Sequence, residues 1–187
     1  SKSYECRKIS IVTYEEKTTN DSGKIIKVFE IPSLRNGDVL ITNSTHSLGW
    51  RHGHAALVVN AEKGETLEAV VLGQNSSIQS IEKWKTYATF ALLRLKEGSD
   101  LKGRQIADYS VSKLNELPYG LLSGFPVKWK EEIKKTHCSH LVWYAFYKFG
   151  YDIDSDGKRP VTPKDIINSE VFEIVQIYGF HPAEIWK

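Results

Sequence analysis

Cys138 is one of two cysteines in 187 residues and sits in the stretch THCSHLVWYAF, Thr136 to Phe146, between His137 and His140. A thiol in that setting can be a nucleophile, a metal ligand or a buried core group. Thr136 is placed to cap a helix starting at His137. Cys138 would then fall in the first turn, where free N–H groups and the helix dipole favour a thiolate. A nucleophilic cysteine also needs a base, and neighbours on the same helical turn cannot easily face the sulfur from the attacking side.

The base is best sought in GWRHGHAALVV, Gly49 to Val59. His54 opens an extended run whose next residues, Ala55 and Ala56, let a helix approach closely. His52 points to the same side but lies further out, across Gly53, and ranks second. Glu68, an acidic residue within the apolar run TLEAVV, is the candidate third group, because a buried carboxylate usually has a partner. A simple hairpin closed between Asn60 and Glu65 would set Glu68 nearer Leu57 than His54. The pairing therefore requires a bulge or a shifted register.

Two metal readings compete. Zinc on His137, Cys138 and His140 matches no common ligand spacing, so no metal is assigned there. Asp152, Asp154, Asp156 and Gly157 follow the first half of a calcium loop, but the twelfth position is Pro163 where a bidentate Glu belongs, which favours a solvated turn. The site chemistry calls for no cofactor.

The elements that must carry these residues follow from pattern. ISIVTYEEKTT and KIIKVFEIP, around the turn NDSG, read as a β-hairpin ended by Pro32. GDVLIT, HAALVVN, ETLEAVVL and YATFALLRL read as strands of a central antiparallel sheet. A helix is expected after Ser99 and Asp100, with Ile106, Tyr109 and Leu114 on its apolar side and Pro118 beyond its end. Ser139 to Phe149 is apolar almost all round, which predicts a buried central helix stopped by Gly150. TPKDIINS reads as a short helix with Pro163 in its first turn, and VFEIVQIY as a last strand. Strands, then helices, then a strand imply an α+β fold.

The totals bound the rest. A hydrophobic share of 41% in 187 residues suits one domain with a sizeable core. The net charge of +2, from 25 basic and 23 acidic residues, gives no reason to expect a nucleic-acid partner. No apolar run approaches the roughly 20 residues that span a bilayer, and a monomer is expected. The chain starts SKSYEC and contains no methionine, which reads as a processed end compatible with prior removal of a signal peptide. Cys6 and Cys138 are enough for one disulfide but not for a disulfide framework.

GDVLIT, GHAALVV, LEAVV, LPYG, HCSHLVWYAF and VTPKDI, in that order, resemble the circularly permuted papain-like cysteine hydrolases, the YiiX/YebB-like branch of the NlpC superfamily. The resemblance runs from about Gly37 to Ser169, with the histidine strand before the cysteine helix, as in the permuted branch. It implies a permuted papain-like core over residues 37–187 and an antiparallel sheet packed against the cysteine-bearing helix; the N-terminal β-hairpin read over 1–36 is an extension outside that shared core. The resemblance also implies Cys138 as nucleophile, His54 as base, Glu68 as polar third member, and Tyr119 lining the site. His140 stands where relatives often carry Gly or Glu, and is taken as a substrate contact. The implied substrate is a peptide or small amide, such as a bacterial cell-wall stem peptide, in an extracellular or cell-wall setting rather than the cytoplasm. An acyl-lipid thioesterase or acyltransferase is the neighbouring alternative, and a non-catalytic binding module the alternative of another class.

Overall fold

The computed structural model describes residues 2–125 and 129–186. Among the described residues, nine strands form two sheets. β1 (Ser3–Lys8), β2 (Thr13–Thr19) and β4 (Thr45–Ser47) make a three-stranded sheet in the order β1-β2-β4. The larger sheet contains β3 (Val39–Thr42), β5 (His54–Asn60), β6 (Glu65–Glu68), β7 (Ser77–Ser80), β8 (Phe90–Leu95) and β9 (Phe172–Tyr178), in the order β7-β6-β5-β3-β8-β9. Every strand pair in both sheets is antiparallel. The helices are α1 (Asp100–Lys113), α2 (Cys138–Tyr147) and α3 (Pro163–Ile167), with a 3-10 helix at Ile81–Thr86. The fold is α+β, as the order of elements implies.

Both faces of the large sheet are covered. Val39, Ile41, Ala55, Leu57, Leu67, Ala91 and Leu93 pack against α1 and α2. Leu40, Ala56, Val58 and Leu92, the alternate residues, pack with Trp84, Tyr87 and Phe90 on the other face. α2 is apolar around its circumference because it is enclosed, with Leu141 to Phe146 all buried. Its chain turns away at Gly150, whose φ is +88°. Ser99 caps α1 by accepting from the Lys102 N–H, and Thr162 and Asp165 form a capping box on α3, with Pro163 in the first turn.

Three expectations need correction. The N-terminal hairpin is formed by β1 with β2, from Ser3 opposite Thr19 to Lys8 opposite Tyr14, while the expected pairing across the NDSG turn stops after one antiparallel bridge, Thr19 with Ile25, and the Ile26 N–H to Thr18 carbonyl bond. β1, SYECRK, is exposed at every position and so carries no apolar alternation to read. Residues 24–32 instead spend their apolar side chains as a cover on the large sheet: Phe29 packs against Phe90 and Tyr178 with ring centroids 4.7 and 4.9 Å apart. Secondly, the cap of α2 is His137, at φ −125° and ψ 175°, which moves the first helical residue to Cys138. Thirdly, β6 ends at Glu68, and the apolar run beyond it leaves the sheet, with Leu72 exposed. Cys6 and Cys138 are both free thiols.

The N-terminal hairpin is tied into the rest of the chain. β2 pairs with β4, and its buried Lys17 and Glu15 form an ion pair at 3.2 Å beneath Tyr87, whose hydroxyl donates to Glu15 at 2.8 Å. Packing of α2 dominates the other side of the molecule. Phe146→Ala is expected to cost about 3–5 kcal/mol of stability, measured as a lower urea midpoint with an unchanged m-value.

Candidate active site

His54 is the first residue of β5 and pairs with Thr42 of β3. Gly53 before it has φ +76°, and a Cβ there would lie 2.6 Å from the Thr42 carbonyl oxygen and 2.3 Å from the Trp186 ring. Only glycine lets the chain enter the strand along this path. The imidazole is buried, stacked on Trp84 with ring centroids 5.4 Å apart.

Glu68 reaches His54 because of an irregularity in the strand pairing. β5 and β6 start from Asn60 opposite Glu65, and the register shifts between Val58 and Asn60, so that Val58 opposes Thr66 and Leu57 opposes Leu67. Extending that pairing puts Glu68 opposite Ala56, on the same face of the sheet as His54. Without the extra residue Glu68 would oppose Leu57 and point toward the helices, since a slip of one residue exchanges the faces. The bulge that the residue pattern demanded is present. His54 and Glu68 are then diagonal neighbours, within reach of long side chains, and His54 Nε2 donates to Glu68 Oε1 at 2.6 Å.

The Glu68 carboxylate is saturated with donors. Thr66 Oγ1 donates to Oε2 at 2.5 Å and Trp84 Nε1 to the same oxygen at 3.1 Å, while Lys83 Nζ lies 2.8 Å from Oε1. Burial pushes the carboxyl pKa up, but the Lys83 charge and then the His54 hydrogen bond outweigh it and hold it well below the usual carboxylate range. Thr66, Lys83 and Trp84 did not stand out in the sequence. The available signal was Trp84 itself, a lone large aromatic within the charged run IEKWKT.

Cys138 occupies the first position of α2, with the orphan N–H groups and positive dipole end of the helix around it. His54 and His137 both act on the ionisation of its sulfur. With Nε2 on Glu68, Nδ1 is the His54 nitrogen left for Cys138. Burial pushes the thiol pKa up; the hydrogen bonds with His137 and His54, and their charges, bring it well below the usual value. Burial lowers the His54 pKa, and the bonds with Cys138 and Glu68 overcome this to raise it to about 9. The arrangement favours a thiolate and an imidazolium side by side.

Around this pair, Tyr119 is half-buried and joined to Thr136 by a parallel bridge; burial, then the negative charge at Cys138, push its phenol pKa up. His137 Nε2 lies 3.2 Å from the Ser123 carbonyl oxygen, which moors the loop after Tyr119 over the start of α2. His140 is buried beneath that loop, with Nδ1 3.1 Å from Thr136 Oγ1. At Gly124 a Cβ would meet the His140 ring at 2.9 Å. His140 therefore supports the loop from below, rather than offering an open ring at the cleft. His52 is directed to Ser47 Oγ at 2.9 Å and to the Gly53 carbonyl at 2.7 Å, a position beside the pair and outside the hydrogen-bonded chain. Exposed apolar side chains flank the site on both sides: Leu48 and Trp50 next to His52, and Leu121, Leu122 and Phe125 on the moored loop.

Among the described residues one acidic group has ligand atoms close enough to share a cation, Asp154, Asp156 and Asp165, all within 4.8 Å of one another. Asp152, the first residue of the half calcium loop, turns instead to Trp143 Nε1 at 2.8 Å. No helix among the described residues is long and apolar enough to cross a membrane.

An antiparallel sheet packed on a central helix is an arrangement this chain shares with a solved structure. The chain matches the crystal structure of the metalloprotein YiiX from Escherichia coli O157:H7 with a TM-score of 0.59, over 76% of this chain and 96% of that one, at 15% identity. In sequence it is similar to the uncharacterized protein YycO of Bacillus subtilis (strain 168), 28% identical over 142 residues, or 75% of this chain and 55% of YycO. The chain thus spans about half the length of that relative. No protein-family model matches it.

Replacing Glu68 by Gln removes the anion that holds the imidazolium, so the His54 pKa is expected to fall from about 9, read by NMR titration of the ring. A raised histidine stabilises the fold fully below its unfolded value and loses that contribution as pH rises through its folded one. The urea-stability gap between the wild type and Glu68→Gln should accordingly narrow as pH rises from 6.5 to 9.

Proposed function

We propose that the protein is a cysteine hydrolase with a permuted papain-like core that cleaves an amide bond through Cys138. The observation that supports this most directly is His54, held to Glu68 at 2.6 Å, together with a buried Cys138 that opens a helix and whose ionisation His54 favours. The Cys138 thiolate attacks the carbonyl carbon, and backbone N–H groups at the start of α2 are placed to receive the oxyanion. The His54 imidazolium gives its proton to the departing amine. Neutral His54 then takes a proton from water as it attacks the thioester, releasing the acid and restoring the thiolate–imidazolium pair. Glu68 holds the ring in one tautomer throughout. Tyr119 lines the site beside the sulfur. A peptide such as a cell-wall stem peptide, met outside the cytoplasm, fits this chemistry.

A second reading is supported by the exposed Leu48, Trp50, Leu121, Leu122 and Phe125 beside the site. Such side chains suit an acyl chain, and with it a thioesterase or acyltransferase using the same three residues. YiiX is described as a metalloprotein; a metal ion here would be held by Asp154, Asp156 and Asp165, whose oxygen donors suit calcium. It would brace the loop between α2 and α3 and supply no chemical step.

Alkylation of Cys138 by iodoacetamide is expected to stay fast well below the ordinary thiol value of about 8.5, and His54→Ala should restore the ordinary profile. A wild-type profile near 8.5 that His54→Ala leaves unchanged would reject the hydrolase in favour of a binding module. Incubation with peptidoglycan fragments and with acyl-lipids, using Cys138→Ala as control, separates the two enzyme readings: product from lipid alone would reject the peptidase.

A further inference from the structure

Glu68 Oε1 is shared. It accepts from His54 Nε2 at 2.6 Å and faces Lys83 Nζ at 2.8 Å, so the oxygen that orients the imidazole is also one end of an ion pair. Lys83 is held on its other side by Gln79 Oε1 at 2.8 Å, and only a quarter of its side chain is exposed. An ammonium gripped by two acceptors at the edge of a buried site is not a solvated surface lysine.

The backbone at Lys83 is fixed as well. Its carbonyl accepts from Thr86 Oγ1 at 2.5 Å and from Lys17 Nζ at 3.5 Å. Lys17 belongs to β2, is paired to Glu15, and lies 3.7 Å from the centre of the Tyr87 ring. The N-terminal hairpin thereby backs the turn that carries Lys83. Two cations therefore meet one carboxylate whenever His54 is protonated. A buried carboxylate opposed by His54 alone would hold the imidazolium more tightly and release its proton less readily. Sharing the anion with a second cation weakens that hold while keeping the carboxylate ionised.

We propose that Lys83 is a positioning residue of this site, whose ammonium fixes Glu68 Oε1 where it orients His54 and limits how tightly that carboxylate retains the imidazolium. This rests on the hydrolase reading for its purpose, though not for its test. The other charged or titratable groups facing His54 and Glu68 are Cys138 on α2, His52 ahead of β5, Lys17 with Glu15 on β2, and Tyr87 after the 3-10 helix. They are left unchanged in the experiment.

The His54 ring is titrated by NMR in the wild type, Lys83→Met and Lys83→Arg, alongside the pH profile of Cys138 alkylation. Loss of a cation a few ångströms away should raise the His54 pKa by roughly one to three units in Lys83→Met, move the alkaline limb of the alkylation profile up with it, and leave both near wild type in Lys83→Arg. Should Lys83→Met fail to fold, Lys83→Gln, which keeps a donor and lacks the charge, takes its place with the same expected rise. A His54 titration that matches wild type in the neutral variant would overturn the proposal, even where stability falls. An ordinary wild-type Cys138 profile would instead reject the hydrolase reading, and the ring titration would still report on Lys83.

Discussion

A single buried carboxylate constrains most of what surrounds it. An ionised group taken out of water is costly unless its lone pairs are met by donors in good geometry. Glu68 meets that demand with four: a hydroxyl from its own strand, an indole and an ammonium from the 3-10 helix, and the His54 imidazole from the next strand. Each donor fixes a different piece of chain. The 3-10 helix has to lie across the end of the sheet for Trp84 and Lys83 to arrive together, and Trp84 then provides the flat surface against which His54 stacks. The orientation of the imidazole toward the sulfur is thus a by-product of satisfying an anion.

The second constraint is close approach between α2 and β5. Ala55, on the strand face turned to the helix, lets the two elements approach closely, while Gly53 lets the chain enter β5 past the Thr42 carbonyl and the Trp186 ring. The remaining length of α2, buried on all sides, fixes the thiol through packing rather than through local bonds. Loop contacts complete the setting: His137 and His140 hold the segment after Tyr119 against the helix start. Both histidines flanking the cysteine therefore act on structure around the sulfur.

Much of this was legible in the residues. The strands of the large sheet, the buried central helix and its cysteine, and the histidine at the head of a small-residue strand all carry strong local patterns. Glu68 could be singled out as an acid in an apolar run, and the need for a bulge followed from counting residues across the hairpin. β1 was not legible, because an exposed strand made of Ser, Tyr, Glu, Cys, Arg and Lys has no buried face to mark it. Residues 24–32 misled for the opposite reason: their apolar side chains are half-buried by covering a sheet rather than by joining one. Lys83 lay beyond sequence reasoning because an ordinary-looking lysine gains its meaning only when the 3-10 helix is folded beside β6.

The extra residue in β5 makes chain length there as important as chemistry. Removing one residue from Val58 to Asn60 would leave every member of the site unchanged in type and still rotate Glu68 from His54 to the helix side of the sheet. The turn from Ala61 to Gly64 lies beyond that irregularity, so added or lost residues there leave the pairing of His54 with Glu68 intact. Related chains that keep this cysteine and histidine but differ in length by one residue within the strand would be expected to recruit their third group from another position, while length variation in the turn should be free.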